Sequence, residues 1–148
     1  MRGNMAPVGI AGLGAYVPPD VMTNDDWVEI VDTSDEWITT KTGIKERRIA
    51  ADDVCTSDLA VVVCKQAMDE AGIGPDDVDM LILAPSSPDV PPSSPAGITQ
   101  HKLGCTKAAA FAINAVCAGW VQALDVGARV VAFVAVRGVA VHGAAVHV

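Results

Sequence analysis

Apolar positions along the chain switch between two rhythms. Val8–Val17 is apolar, punctuated by glycine and ended by Pro18-Pro19, the pattern of a first strand. Asn24 stands where an N-cap is needed for a short helix through Val31, with Asp25 and Asp26 well placed for the helix dipole. Thr33 or Ser34 can cap a second helix, Asp35–Thr42, stopped by Gly43. Ile44–Ile49 carries Lys45, Arg47 and Arg48, the densest basic cluster of the chain. Ser57 then opens an amphipathic helix, Asp58–Glu70, in which Leu59, Val62, Val63 and Ala67 fall near helical spacing and Gly72 is the stop. Val78–Ala84 reads as a buried strand, and residues 85–95 as a Pro/Ser-rich loop. Ser94-Pro95 starts a helix that ends near Gly104, and Ala108–Ile113 is a further buried strand. A turn over Asn114–Val116 leads into a helix from Cys117 to Val131, and the tail from Ala132 fits strand or irregular chain equally well.

Strands that alternate with helices predict an α/β domain with a mostly parallel sheet. The length of 148 residues suits one such domain, and 51% hydrophobic against 19% charged residues excludes disorder, collagen and coiled coil. The net charge of −8 argues against a nucleic-acid partner, which needs a basic face. The acid is uneven: 16 of the 18 acidic residues precede residue 81. No stretch has the length and continuity of a membrane span, because Arg129, Arg137, His142 and His147 break up the apolar residues 126–148. The four cysteines form no CxxC and have no histidine at zinc-finger spacing, so no metal site is expected. Without a signal-peptide pattern, reduced thiols in a cytoplasmic setting are the expectation.

The chemistry concentrates in Phe111–Leu124, FAINAVCAGWVQAL. A buried strand, a tight turn and a small-residue helix put Cys117 at or beside a helix N-terminus. Free N–H groups and the helix dipole favour a thiolate there and can hold a developing oxyanion. Ala118 and Gly119 leave room for a substrate. A buried apolar cysteine is the competing reading of such a residue. Cys64 reads as core, while Cys55 and Cys105 lie in loop or helix-end contexts with no base nearby.

Residues Asp32–Arg47, DTSDEWITTKTGIKER, closely resemble the signature region of β-ketoacyl-acyl-carrier-protein synthase III. GIAGLGAYVPPDVMTN is similar to that family's first strand and loop, and NAVCAGW to its active-site cysteine motif. The resemblance runs from about Val8 to about Val131. It implies half of a thiolase-like α/β fold, residues 1–131, followed by an atypical Val/Ala/Gly-rich tail, 132–148, with the family's C-terminal half missing. It implies that Cys117 is acylated by acyl-CoA and condenses with malonyl-carrier protein in fatty acid or polyketide initiation. No permanent cofactor is implied, and the intact enzymes are expected to be homodimers.

By the same resemblance, Trp37 stacks near the CoA adenine, Thr33 touches the cofactor, and Lys41 stands where relatives carry an arginine. Lysine keeps the point charge but loses the planar fork. Pro91 and Pro92 stand where relatives often have an aromatic that closes the partner's acyl pocket. The family's catalytic histidine and asparagine, in strings similar to HQAN and GNTS, have no match in this sequence. His101 is expected on a helix surface, and His142 and His147 in the unmatched tail. The resemblance therefore supports the nucleophile-bearing half of an acyltransferase that is inactive by itself. A non-catalytic remnant or interaction module of the same fold is the alternative.

Overall fold

The computed structural model describes residues 7–87, 89, 94–133 and 139–142, which form two compact units, one from 7–16 and 55–142, the other from 17–54.

In the smaller unit, β1 (Asp20–Thr23) pairs antiparallel with β2 (Glu46–Ile49), in register from Asp20↔Ile49 to Thr23↔Glu46. Between them lie α1 (Asn24–Val28) and α2 (Asp35–Thr42). The cap of α1 is one residue earlier than expected. The Thr23 hydroxyl accepts from the Asp26 N–H at 3.2 Å, and the Asp26 carboxylate accepts from the Thr23 N–H at 2.8 Å, a reciprocal capping box. Asn24 is instead the first helical residue, 2% exposed, with its amide spent inside the unit. The helix ends at Val28 rather than Val31, because Ile30 and Val31 both donate to the Trp27 carbonyl and close a turn. On α2 the predicted bounds hold. Ser34, not Thr33, is the cap, accepting from the Trp37 N–H at 3.1 Å, and Gly43 closes the helix at φ 75°. The basic cluster of 44–49 becomes strand β2.

In the larger unit, β3 (Met80–Leu83) lies between β4 (Ala109–Ala112) and β5 (Val139–His142), both parallel to it. Three helices accompany the sheet: α3 (Thr56–Ala71), α4 (Pro95–Leu103) and α5 (Gly119–Phe133). Leu81, Ile82 and Leu83 are all fully buried, which explains why β3 reads as an unbroken apolar run. Successive side chains point to opposite faces. Leu81 packs with Cys64 and Met68 of α3 and Leu103 of α4, and Leu83 with Ala60 and Ala96 of the same two helices. Ile82 points the other way and meets Ala123 and Val126 of α5. Helices thus cover both faces of one parallel sheet, as the alternation of elements predicted. The 18 residues Val116–Phe133 are also long and apolar enough to cross a membrane by length and composition, and 17% of them are buried against the rest of the unit.

Three expectations are corrected here. Residues 7–18 contain no strand. The segment instead lies along α3, where the Leu13 N–H donates to Glu70 Oε2 at 2.7 Å and the Ala15 N–H to Gln66 Oε1 at 2.9 Å. A Cβ at Gly12 would run into the Ala67 carbonyl, and one at Gly14 into the Val63 carbonyl. Gly12 and Gly14 thus serve a close backbone-to-helix approach, a pattern easily read as a strand. Secondly, α3 begins at Thr56 with Cys55 as its N-cap, not Ser57. Ser57 is fully buried and its hydroxyl accepts from Lys102 Nζ at 2.6 Å, so it is not free to cap. Thirdly, α5 starts at Gly119, two residues after the expected start at Cys117, because a 3-10 turn, Val116–Ala118, intervenes. The tail, ambiguous in sequence, supplies β5. Pro91, Pro92 and His147 lie outside the described residues.

Candidate active site

Cys117 sits where a strand becomes a helix. After β4, the Ile113 N–H donates to the Leu83 carbonyl at 2.7 Å and holds the chain to the end of β3. The 3-10 turn follows, closed by Ala118 N–H donating to the Ala115 carbonyl at 3.1 Å. Val116 lies in the left-handed region at φ 48°, the one non-glycine residue to do so among the described residues. A β-branched residue adopts this backbone only under strain, of order 1–3 kcal/mol, and such strain clusters at functional sites. Gly119 is buried. A Cβ there would stand 3.2 Å from the Ala84 Cβ, tighter than ordinary packing, so the missing side chain lets α5 start directly on the end of β3. Ala123 and Gly127 continue that buried stripe.

The result is an exposed thiol one residue after a strained position and two residues before a 15-residue helix. No acidic residue lies in the first turn of that helix. The other cysteines differ. Cys64 is buried against the sheet, and burial, with a smaller contribution from Cys105, pushes its thiol up to about 12. Cys105 is fully buried after the Gly104 stop of α4, and burial followed by the Asp76 charge raises its thiol as well. Cys55 is exposed, but its N–H donates to Asp58 Oδ2 at 3.0 Å, placing a carboxylate beside it. The Lys102 ammonium, 2.6 Å from Asp58 Oδ1, holds that carboxyl below its usual range. The cysteine singled out from sequence is thus one of two exposed thiols, and the other, Cys55, has a carboxylate beside it.

In the smaller unit, Trp37 is 58% exposed on α2, and Lys41 is exposed one turn further along the same helix. Trp37 and Thr33 line an open depression of about 440 Å³ together with Trp27, Asp32, Ser34 and two aliphatic residues; Lys41 is outside its lining. Trp27 was not picked out from sequence. Arg47 lies 5.3 Å above its ring, donates through Nη2 to Asn24 Oδ1 at 2.7 Å, and through Nη1 to the Thr23 carbonyl at 3.1 Å. The Asn24 amide donates in turn to Asp35 Oδ1 at 2.7 Å and the Ile44 carbonyl at 2.8 Å. That bond from Asn24 is the main reason the Asp35 carboxyl lies below its usual range. The adjacent cap-forming residues Thr23 and Asn24, one of them surplus to the cap, are the signal that could have found this network. His101 is exposed on α4, as expected. No cluster able to hold a metal ion occurs among the described residues.

A three-layered parallel α/β unit with a cysteine on the strand-to-helix turn after β4 defines the class: one half of a thiolase-like fold. The chain belongs to the family described as thiolase, N-terminal domain, which matches residues 38–144. A β-ketoacyl-[acyl-carrier-protein] synthase III of Symbiobacterium thermophilum is 50% identical over 115 residues, covering 78% of this chain and 35% of that relative. The crystal structure of 3-oxoacyl-[acyl-carrier-protein] synthase III from Aquifex aeolicus VF5 is 42% identical with a TM-score of 0.85, over 91% of this chain and 44% of that one. The priming β-ketosynthase of the R1128 polyketide pathway is 29% identical with a TM-score of 0.80, over 90% and 41%. The chain therefore spans well under half the length of these relatives. The resemblance read from residues 32–47 and the thiolase-like half are both borne out.

Proposed function

We propose that Cys117 is an acyl acceptor. Its thiolate attacks the carbonyl of an acyl-CoA thioester, the CoA thiol leaves, and the acyl group remains on Cys117. In a complete synthase, malonyl-carrier protein then loses carbon dioxide, its carbanion attacks the Cys117 thioester, and the ketoacyl product leaves on the carrier as the thiol is restored. Trp37 and Lys41 hold the nucleotide end of CoA, with Thr33 beside them. The observation that carries this reading is the exposed Cys117 on its strained turn, in a chain whose relatives are synthases of this type. A reducing cytoplasm suits a free thiol of this kind, and a homodimer of the intact enzyme is part of the same proposal.

The 148-residue polypeptide stops at acylation. Decarboxylation needs donors aimed at the thioester oxygen, and the HQAN-like and GNTS-like strings that supply them in the family do not occur in this sequence. Loss of one such donor costs on the order of 100- to 1,000-fold in rate. The test is incubation with radiolabelled acetyl-CoA, then malonyl-carrier protein, with mass spectrometry of protein and product. Label on Cys117, absent in Cys117→Ala, and no ketoacyl product are expected. A fold that takes up no label at Cys117 would be a non-catalytic module instead. Product formed at rates near those of an intact synthase would overturn the assignment of the missing donors.

A further inference from the structure

We propose that the outward face of α5 docks the same helix of a second copy of this 148-residue chain, the two lying antiparallel about a two-fold axis near residue 127. The inner side of α5 is already spent. Gly119, Ala123 and Gly127 are buried, and Ala123 and Val126 pack against Ile82 of the sheet. At 3.6 residues per turn, Val121, Asp125, Ala128 and Ala132 fall on the opposite side. Val121 is 64% exposed, Asp125 and Ala128 are exposed, and Ala132 is half-buried. A helix whose outer side meets only water carries charged and polar residues there. Between Val116 and Phe133 the charges are Asp125 and Arg129 alone, and Trp120, Val121 and Phe133 are exposed apolar side chains.

Those two charges choose the partner and its direction. Arg129 Nε donates to Asp125 Oδ2 at 2.8 Å, one turn apart on one flank of the outward face, and both side chains are more than half exposed. Opposite charges that straddle the middle of a helix are self-complementary in an antiparallel pair. Asp125 of one copy comes opposite Arg129 of the other, and the two-fold axis repeats the contact. A parallel pair would set like charges level, which is costly. On the other flank the same register brings the half-buried Leu124 level with Val131 of the second copy, and Val121 meets Ala132 between the flanks. The small side chains of Ala128 and Ala132 let the two helix axes approach closely. A bilayer offers the two charges at the middle of the helix no such partners.

The test is the mass of the chain in solution, by sedimentation equilibrium over a wide dilution series. A contact between two 15-residue helices lies at the small end of specific interfaces, so monomer and dimer should both be seen. Val121→Lys should abolish the dimer while circular dichroism stays as in the parent chain. Asp125→Arg and Arg129→Asp should each weaken the dimer about tenfold by setting like charges opposite one another, and the two together should restore it. The charge exchanges lie on the exposed flank and keep the test open if Val121→Lys fails to fold. A chain that is monomeric at every concentration overturns the proposal. So does a dimer that neither Val121→Lys nor the single charge exchanges weaken, because it forms through another surface. Flotation of the chain with phosphatidylcholine vesicles in place of dimer formation would assign the face to a bilayer. A 1:1 complex with the co-expressed C-terminal part of a complete synthase, formed at the expense of the dimer, would assign the face to that part. Either result overturns the second copy as partner.

Discussion

A short pulse of iodoacetamide at pH 8 should sort the four cysteines by their surroundings. The reagent reacts with the thiolate, so both access and ionisation matter. The Cys64 thiol is pushed by burial from 9.0 to about 12. At that value the thiolate population is about 1,000-fold lower than for an ordinary thiol, roughly one molecule in ten thousand at pH 8. Its position on the face of α3 packed against β3 slows it further, because the reagent must wait for the unit to open. Cys105 is held back in the same direction by burial and by Asp76. Cys55 and Cys117 remain as exposed thiols, and Cys55 shares its helix start with the Asp58 carboxylate. The expected order is Cys117 first, Cys55 second, and Cys64 and Cys105 only after guanidinium is added. Peptide mapping by mass spectrometry after quenching at several times gives four rates. Labelling of Cys64 within tenfold of Cys117 in folded protein would refute the burial argument. Cys55 reacting ahead of Cys117 would refute the choice of Cys117 as the reactive thiol.

The same buried thiol predicts an alkaline weakness. Its folded value lies above its unfolded one, so its stabilising contribution is complete below pH 9 and is lost as pH climbs toward 12. The loss is about 1.4 kcal/mol by pH 10, and thermal melts of Cys64→Ala should show a shallower fall above pH 9 than the parent chain. Gly14→Val drives a side chain into the Val63 carbonyl, so the melting temperature should drop by the equivalent of about 1–3 kcal/mol and residues 7–16 should become protease-sensitive. An unchanged digestion pattern would mean the segment does not bind α3 as described. Val116→Gly relieves the backbone at φ 48° and should stabilise the fold by about 1 kcal/mol after glycine's own entropic cost, measured by urea unfolding.

Elements whose ends are written in local chemistry were legible from the chain alone. Ser34 and Gly43 bound α2 at the predicted residues, and Pro95 and Gly104 frame α4. β3 and β4 lie inside their predicted ranges, because strands covered on both faces leave continuous apolar runs. Residues 7–18 were misread, since an apolar, glycine-rich run gives no sign of whether its backbone donors face a neighbouring strand or the side chains of a helix. Thr23 and Asn24 are adjacent and both good caps, and only the bonds from Asn24 to Asp35 and Ile44 decide between them. Of the candidate site, Cys117 was singled out by its motif and Trp37 by its signature region. The left-handed Val116 could not, because valine is among the last residues that conformation would suggest. Trp27 and Arg47 are twenty positions apart and meet only after β1 and β2 have paired.

The parallel sheet carries a consequence for the order in which the chain acquires structure. β3 is the central strand, yet it gains β4 from residues 109–112 and β5 from residues 139–142. During synthesis, α3 and β3 leave the ribosome long before either neighbour exists, so Leu81, Ile82 and Leu83 wait uncovered. Pairings across such sequence distances are slow to form, because a long loop must close before the first contact is rewarded. An interval of exposed apolar strand is therefore built into every round of translation, and its length depends on how soon residues 139–142 emerge. Any pause that delays the emergence of residues 139–142 lengthens that interval.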